Sequence, residues 1–137
     1  MEDQHMSFHL PSGIALLALC FGLSGCEREV SFANDVQPIF RDHCVECHSQ
    51  IGEGVAASGF SVNDYDSIMG GTKFGPVVVP GNSISSALYM VVAGKTAPEI
   101  QMPPHHQQSL SAERGDALSE ENIEVIQLWI DQGALNN

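Results

Sequence analysis

Cys44-Val45-Glu46-Cys47-His48 decides how this chain of 137 residues is read, because it sets two thiols and an imidazole side by side. C-x-x-C-H is the attachment pattern of a c-type haem. The spacing has a physical cause. One helical turn sets two thiols against the two vinyl groups of a single porphyrin, and the next side chain turns its imidazole toward the iron. Two other uses of these residues stay open. A zinc site would recruit Cys44, Cys47, His48 and a fourth ligand, but His105 and His106 are adjacent rather than three to five residues apart. A thioredoxin-like dithiol needs a strand and a βαβ setting, whereas a helix-like stretch precedes Cys44.

Working outward, that stretch reads as one amphipathic helix. Asp35 is the expected cap, and Pro38 is tolerated in the first turn because an early N–H has no intrahelical acceptor. Val36, Ile39, Phe40, His43 and Cys44 then recur at helical spacing and form one stripe ending at the motif. On the other side, Gln50 to Gly59 holds three glycines and reads as loop. Asn63 is expected to cap a short helix closing at Gly70-Gly71. Val77 to Val79 lies between Pro76 and Pro80, which makes it extended loop rather than sheet. Ser83 or Ser85 starts a helix through Ala93, stopped by Gly94. The last helix is the clearest: Ser119 caps it, Glu120 and Glu121 complement its positive end, and Gly133 closes it. Ile123, Ile126, Trp129 and Ile130 form its buried face.

A haem iron held by His48 needs a sixth ligand or an open position. Met102, in Gln101-Met102-Pro103-Pro104, is the foremost candidate. Each proline pushes the residue before it into extended backbone, and a stiff extended segment can hold a thioether over a haem face. Met90 falls at a helical spacing that suits core packing, and Met69 suits a helix-end contact. His105 and His106 offer bis-histidine ligation, although two histidines in a polar loop are usually solvated.

The stretch Ser31-Phe32-Ala33-Asn34-Asp35-Val36-Gln37-Pro38-Ile39-Phe40, leading into Cys44 to His48, resembles the start of planctomycete-type cytochrome c domains. Gly75 to Gly81 (GPVVVPG), Met102-Pro103-Pro104 and Leu128 to Ala134 (LWIDQGA) are similar to later parts of that pattern. The resemblance implies an all-α, class I-like fold of three to five helices with long loops around one covalent haem c. It implies thioether links at Cys44 and Cys47, His48 as proximal ligand and Met102 as distal ligand. The last helix would cross the first beside the haem. The segment from His105 to Ala117 is longer and more polar than the family pattern. The implied role is electron transfer to and from redox proteins that the sequence does not identify, with no substrate transformed and so no enzyme activity. A haem-based ligand-binding or sensory domain with a labile sixth ligand, and a structural zinc-binding lipoprotein, are the alternatives.

The N-terminal residues add an address. Ile14 to Leu23 is an uncharged apolar run of signal-peptide length, too short for a membrane span. It ends in Leu23-Ser24-Gly25-Cys26, which looks like a bacterial lipobox, with Cys26 as the acylated residue. Glu2 and Asp3 depart from the usual basic start of such signals, and a start at Met6 would remove both. The expected organisation is a signal peptide over 1–25, a lipid-proximal tether over 26–32 and the cytochrome domain over 33–137. That places the domain on the periplasmic side of a bacterial membrane, inner or outer, held by its lipid anchor. The rest of the composition is restrictive. Lys and Arg number 5 against 17 Asp and Glu, a net charge of -12, which excludes nucleic acid and attraction to anionic lipid. A hydrophobic fraction of 43% excludes a disordered acidic tail. The surface acids read as a solvated face, with docking of a basic partner as the sharper use.

Overall fold

The computed structural model describes residues 28–137; the signal segment and Cys26 lie outside the described residues. A wide π-type turn, Phe32–Val36, runs directly into α1 (Gln37–His43). There follow α2 (Val45–His48), α3 (Glu53–Ser58), α4 (Tyr65–Gly70), α5 (Ala87–Val92) and α6 (Glu120–Asp131). A single 3-10 turn, Pro98–Ile100, lies between the last two. No strand forms among the described residues beyond an isolated bridge between Thr72 and Gly75. The fold is all-α, as expected. Among the described residues no helix is long and apolar enough to cross a membrane.

The first helical segment begins earlier than Asp35. Ser31 accepts a hydrogen bond from the Asn34 N–H, and the Asp35 carboxylate accepts one from the Ser31 N–H at 2.9 Å. The acid closes the capping arrangement from inside the first turn instead of opening it. Starting at Phe32 puts that ring into the core, where it meets Tyr65 and Trp129 at centroid separations of 5.2 and 5.6 Å. The stripe then holds through Val36, Ile39 and Phe40, all buried, while His43 is exposed.

Ser119 caps α6 as its sequence indicates, accepting from the Asn122 N–H. Ile126, Trp129 and Ile130 are fully buried on its inner face, and Ile123 is half-buried. The two isoleucines alone contribute roughly 1.5–3 kcal/mol each by leaving water. Beyond α6 the chain turns back. The Trp129 indole donates to the Leu135 carbonyl at 2.9 Å, and the Tyr65 hydroxyl donates to the Ala134 carbonyl at 2.8 Å. The opening residues run along this end: the Val30 N–H donates to the Gln132 side chain, and the Phe32 N–H to that of Asn137, each at 2.8 Å.

Three segments differ from expectation, two of them because a hydroxyl or carboxylate has a better partner. Asp64, not Asn63, caps α4 by accepting from the Ser67 N–H at 2.7 Å. Helix α5 begins at Ala87, after Ser83 and Ser85. Ser83 is buried and bonded to Asp131 at 3.0 Å, which anchors this loop to the end of α6. The segment Gln50 to Gly59, expected as loop, contains α3. This helix buries no whole side chain, so no apolar stripe announces it. Its presence makes the helix count among the described residues six instead of at most five.

Candidate functional site

Helix α1 delivers Cys44 at its C-terminal end, where the Cys44 N–H still bonds the Phe40 carbonyl at 2.9 Å. The backbone breaks stride there (φ -125°, ψ -31°) and resumes as the single turn of α2. The His48 N–H then bonds the Cys44 carbonyl at 2.9 Å. That one turn is what brings both thiols and the imidazole to the same cleft.

His48 is oriented by its own neighbourhood. Its Nδ1 lies 3.0 Å from the Phe60 carbonyl oxygen. A carbonyl only accepts, so Nδ1 carries the proton and Nε2 is left with a free lone pair, the form in which imidazole ligates a metal. The Phe60 ring sits edge-on to the imidazole at 5.4 Å. Below it, α3 packs so tightly that a Cβ on Gly54 would stand 2.6 Å from His48 Cε1, and one on Gly52 would stand 2.1 Å from the Cys47 carbonyl. Two of the three loop glycines are therefore required by close approach to the motif.

Met102 reaches the same cleft from the far side of the chain. Its N–H bonds the Val91 carbonyl at 3.1 Å, beside the end of α5, and Pro103 and Pro104 carry the chain away. Two cavities, of about 160 and 240 Å³, share Cys44, His48, Val92 and Met102 in their walls. The larger is apolar, lined by Phe40, Phe60, Val77, Leu88, Val91 and Ile100 among others. The smaller opens past Cys47, between Glu46, Glu53 and the 111–115 segment. Met69 and Met90 line neither cavity and pack against the core, and His105 and His106 line neither. The segment after Met102 folds back as a wrap: the Gly115 N–H bonds the Pro104 carbonyl at 2.9 Å, and Ser111 bonds Glu53.

The thiols themselves are quiet. Burial, with Cys47 adding to it, pushes the Cys44 thiol up to about 12. Burial also raises Cys47, helped by the negative charges of Glu53, Glu46 and Glu113. A catalytic dithiol is served by a depressed pKa, and both of these thiols are shifted the other way. Zinc fares no better: among the described residues no three His, Cys, Asp or Glu gather in a way that could hold a metal ion. The donor set and the lining do fit a haem: two thiols one turn apart, an imidazole with a free Nε2 and a thioether, with Cys44, His48 and Met102 on the apolar cavity and Cys47 on the smaller one adjoining it.

Three parts of this arrangement escaped the sequence reading: the Phe60 carbonyl that sets His48, the helix α3, and the wrap from 105 to 117. The only local trace was the glycine pair at 52 and 54. A family model described as planctomycete cytochrome C matches residues 44–106, from the first thiol to just past the Met102 segment. No curated protein and no solved structure matches the chain. The matched segment spans Cys44, Cys47, His48 and Met102, and with the all-α fold it supports a planctomycete-type cytochrome c domain in this chain.

Proposed function

We propose that this cytochrome c domain is a single-haem electron carrier with Cys44 and Cys47 as thioether links, His48 as proximal ligand and Met102 as distal ligand. The observation that carries the reading is the pairing of His48 and Met102 on one apolar cleft, with Nδ1 of His48 already committed to Phe60. A haem bound there supplies reversible one-electron chemistry at its iron, and a thioether ligand favours the ferrous state. The protein's part is to hold and to exclude. The Phe60 carbonyl makes His48 a stronger donor by accepting its other ring proton. Phe40, Leu88 and Val91 keep the cavity apolar, which disfavours the ferric charge. The mouth beside Cys47, flanked by Glu46, Glu53 and Glu113, leaves an edge for electron exchange with a partner protein.

The domain belongs, on this proposal, at the periplasmic face of a bacterial membrane, tethered through lipid on Cys26. Residues 28–33 are hydrogen-bonded to the C-terminal residues, so such an anchor would hold the domain near the bilayer with little slack. An absorption spectrum of exported protein, taken ferric, then reduced, then under carbon monoxide, tests the carrier reading. The expected result is haem that survives acid-solvent extraction, a weak far-red sulfur-to-iron band in the ferric form, and sluggish carbon monoxide binding. Fast binding with no such band would favour a ligand-binding haem domain and overturn the carrier. For the anchor, Cys26→Ser should release the protein to the soluble periplasm or stall it uncleaved. Cleaved, membrane-bound Cys26→Ser protein would refute lipidation at that residue.

A further inference from the structure

Two prolines follow Met102 and stiffen the chain beyond it, but nothing in its own sequence fixes the chain before it. Gln101 does that work through space. It is a buried polar side chain, 8% exposed, in a loop whose other polar side chains are half-buried or exposed. Its Nε2 donates to the Gly94 carbonyl at 3.2 Å and to the Thr96 carbonyl at 2.8 Å, both just past the end of α5. Because both amide hydrogens are spent on carbonyls, Oε1 must face His106, whose Nε2 lies 2.7 Å away and carries the proton. His106 is itself held: its N–H bonds the Ser109 hydroxyl, and its carbonyl accepts from Arg114 at 2.9 Å. One amide thus ties the end of α5, the Met102 segment and the wrap beyond it into a single knot.

We propose that Gln101, braced by His106, is the positioning residue that holds Met102 at the cleft and sets how readily its sulfur leaves. The proposal rests on the reading of Met102 as distal ligand. Buried polar groups with every hydrogen bond made specify one arrangement, and losing one partner strands the others. Gln101 bonds with both of its amide hydrogens and its oxygen, and Met102 adds its own N–H to the Val91 carbonyl. With Gln101 gone, the backbone bonds left between this loop and α5 are Met102 to Val91 and, seven residues earlier, Lys95 to Met90. The sulfur would then dissociate more often without any change in the ligand itself.

The test uses holoprotein. Gln101→Met keeps the buried volume and removes all three side-chain bonds, while His106→Leu removes only the donor, from a half-buried position that does not endanger folding. Ser83→Ala cuts a buried hydrogen bond between the loop before α5 and the end of α6 and serves as a variant destabilised elsewhere. Three quantities are read: carbon monoxide association with the ferrous form, the alkaline limit of the ferric far-red band, and hydrogen exchange at the Met102 amide. In Gln101→Met, carbon monoxide association should rise about tenfold, the ratio that corresponds to one lost net hydrogen bond. The band should vanish at lower pH, and the Met102 amide should exchange faster. His106→Leu should move all three in the same direction by less, and Ser83→Ala should lower Tm and leave all three at wild-type values. Gln101→Met with wild-type amide exchange and carbon monoxide kinetics would overturn the brace and leave the ligand reading standing. An equal change in Ser83→Ala would overturn it too, since a general loss of stability would then explain the result. A wild-type protein with no far-red band would instead overturn the ligand reading, and the positioning role with it.

Discussion

His48 and Met102 face the same cleft, yet the chain holds them in opposite ways. Everything that orients His48 lies within the next dozen residues: Gly52 and Gly54 beneath it and the Phe60 carbonyl on its ring. Met102 is held from a distance, by the Val91 carbonyl on its own N–H, and through Gln101 by the chain after α5 and by His106. A local site forms wherever its helical turn forms, whereas a site assembled across the chain depends on the whole fold. On the proposed ligation, this contrast would give the proximal side strength and leave the distal side adjustable, as suits a carrier whose potential is tuned from one face.

The largest expected effect falls on the proximal side. Cys44→Ala with Cys47→Ala should abolish covalent haem altogether, while each single change should leave one link and a shifted spectrum. Covalent haem in the double variant, detected by mass after acid extraction, would break the assignment. On the distal side, Met102→Ala should keep the covalent haem and lose only the far-red band, with a fall in reduction potential. If it lost the haem as completely as the double cysteine variant, the two sides would not differ in kind.

A smaller effect sharpens the proximal half. Gly54→Ala would press a methyl group against the His48 ring and, at 2.9 Å, against the Cys47 carbonyl. It should cost about 1–3 kcal/mol by overpacking, although alanine is the better helix former. Chemical denaturation should show the loss together with a perturbed haem spectrum, and an unperturbed, stabilised protein would contradict the close packing of α3.

The thiols supply a pH test on haem-free protein. Folding raises Cys44 from 9.0 to about 12, chiefly by burial, so the folded state keeps a proton that the unfolded state gives up. That stability is fully present below pH 9.0 and is lost as pH rises toward 12. Denaturant titrations from pH 8 upward should show a steeper decline in the parent than in Cys44→Ala, which keeps only the raised Cys47 thiol; parallel curves would refute it. The smallest change links the two sides. Ser111→Ala removes the contact between the distal wrap and Glu53, and for this exposed pair should alter stability by less than about 0.5 kcal/mol. A loss of several times that would mean the two sides are coupled more tightly than their separate anchoring implies.

The amino-acid sequence by itself determined the parts of this protein whose cause is local. The thiol pair and His48 are legible because one helical turn relates them. The α6 helix is legible because Ser119, two glutamates and an apolar stripe agree over twelve residues. Met102 was legible as a candidate through its prolines, which restrict backbone whatever surrounds them. Tertiary structure alone decided the rest. Asp64 and Asn63 are equally good caps on paper, and only the packed chain gives one of them the Ser67 N–H. Helix α3 has no apolar face to announce it, because its role is to lie against backbone and an imidazole, which glycines allow and hydrophobic periodicity does not record. The Phe60 carbonyl and the buried Gln101 amide leave no mark in the sequence either, since every residue carries a carbonyl and a glutamine is ordinarily solvated. What gives those groups their roles is desolvation beside a partner, and that exists only once distant segments have closed around the cleft.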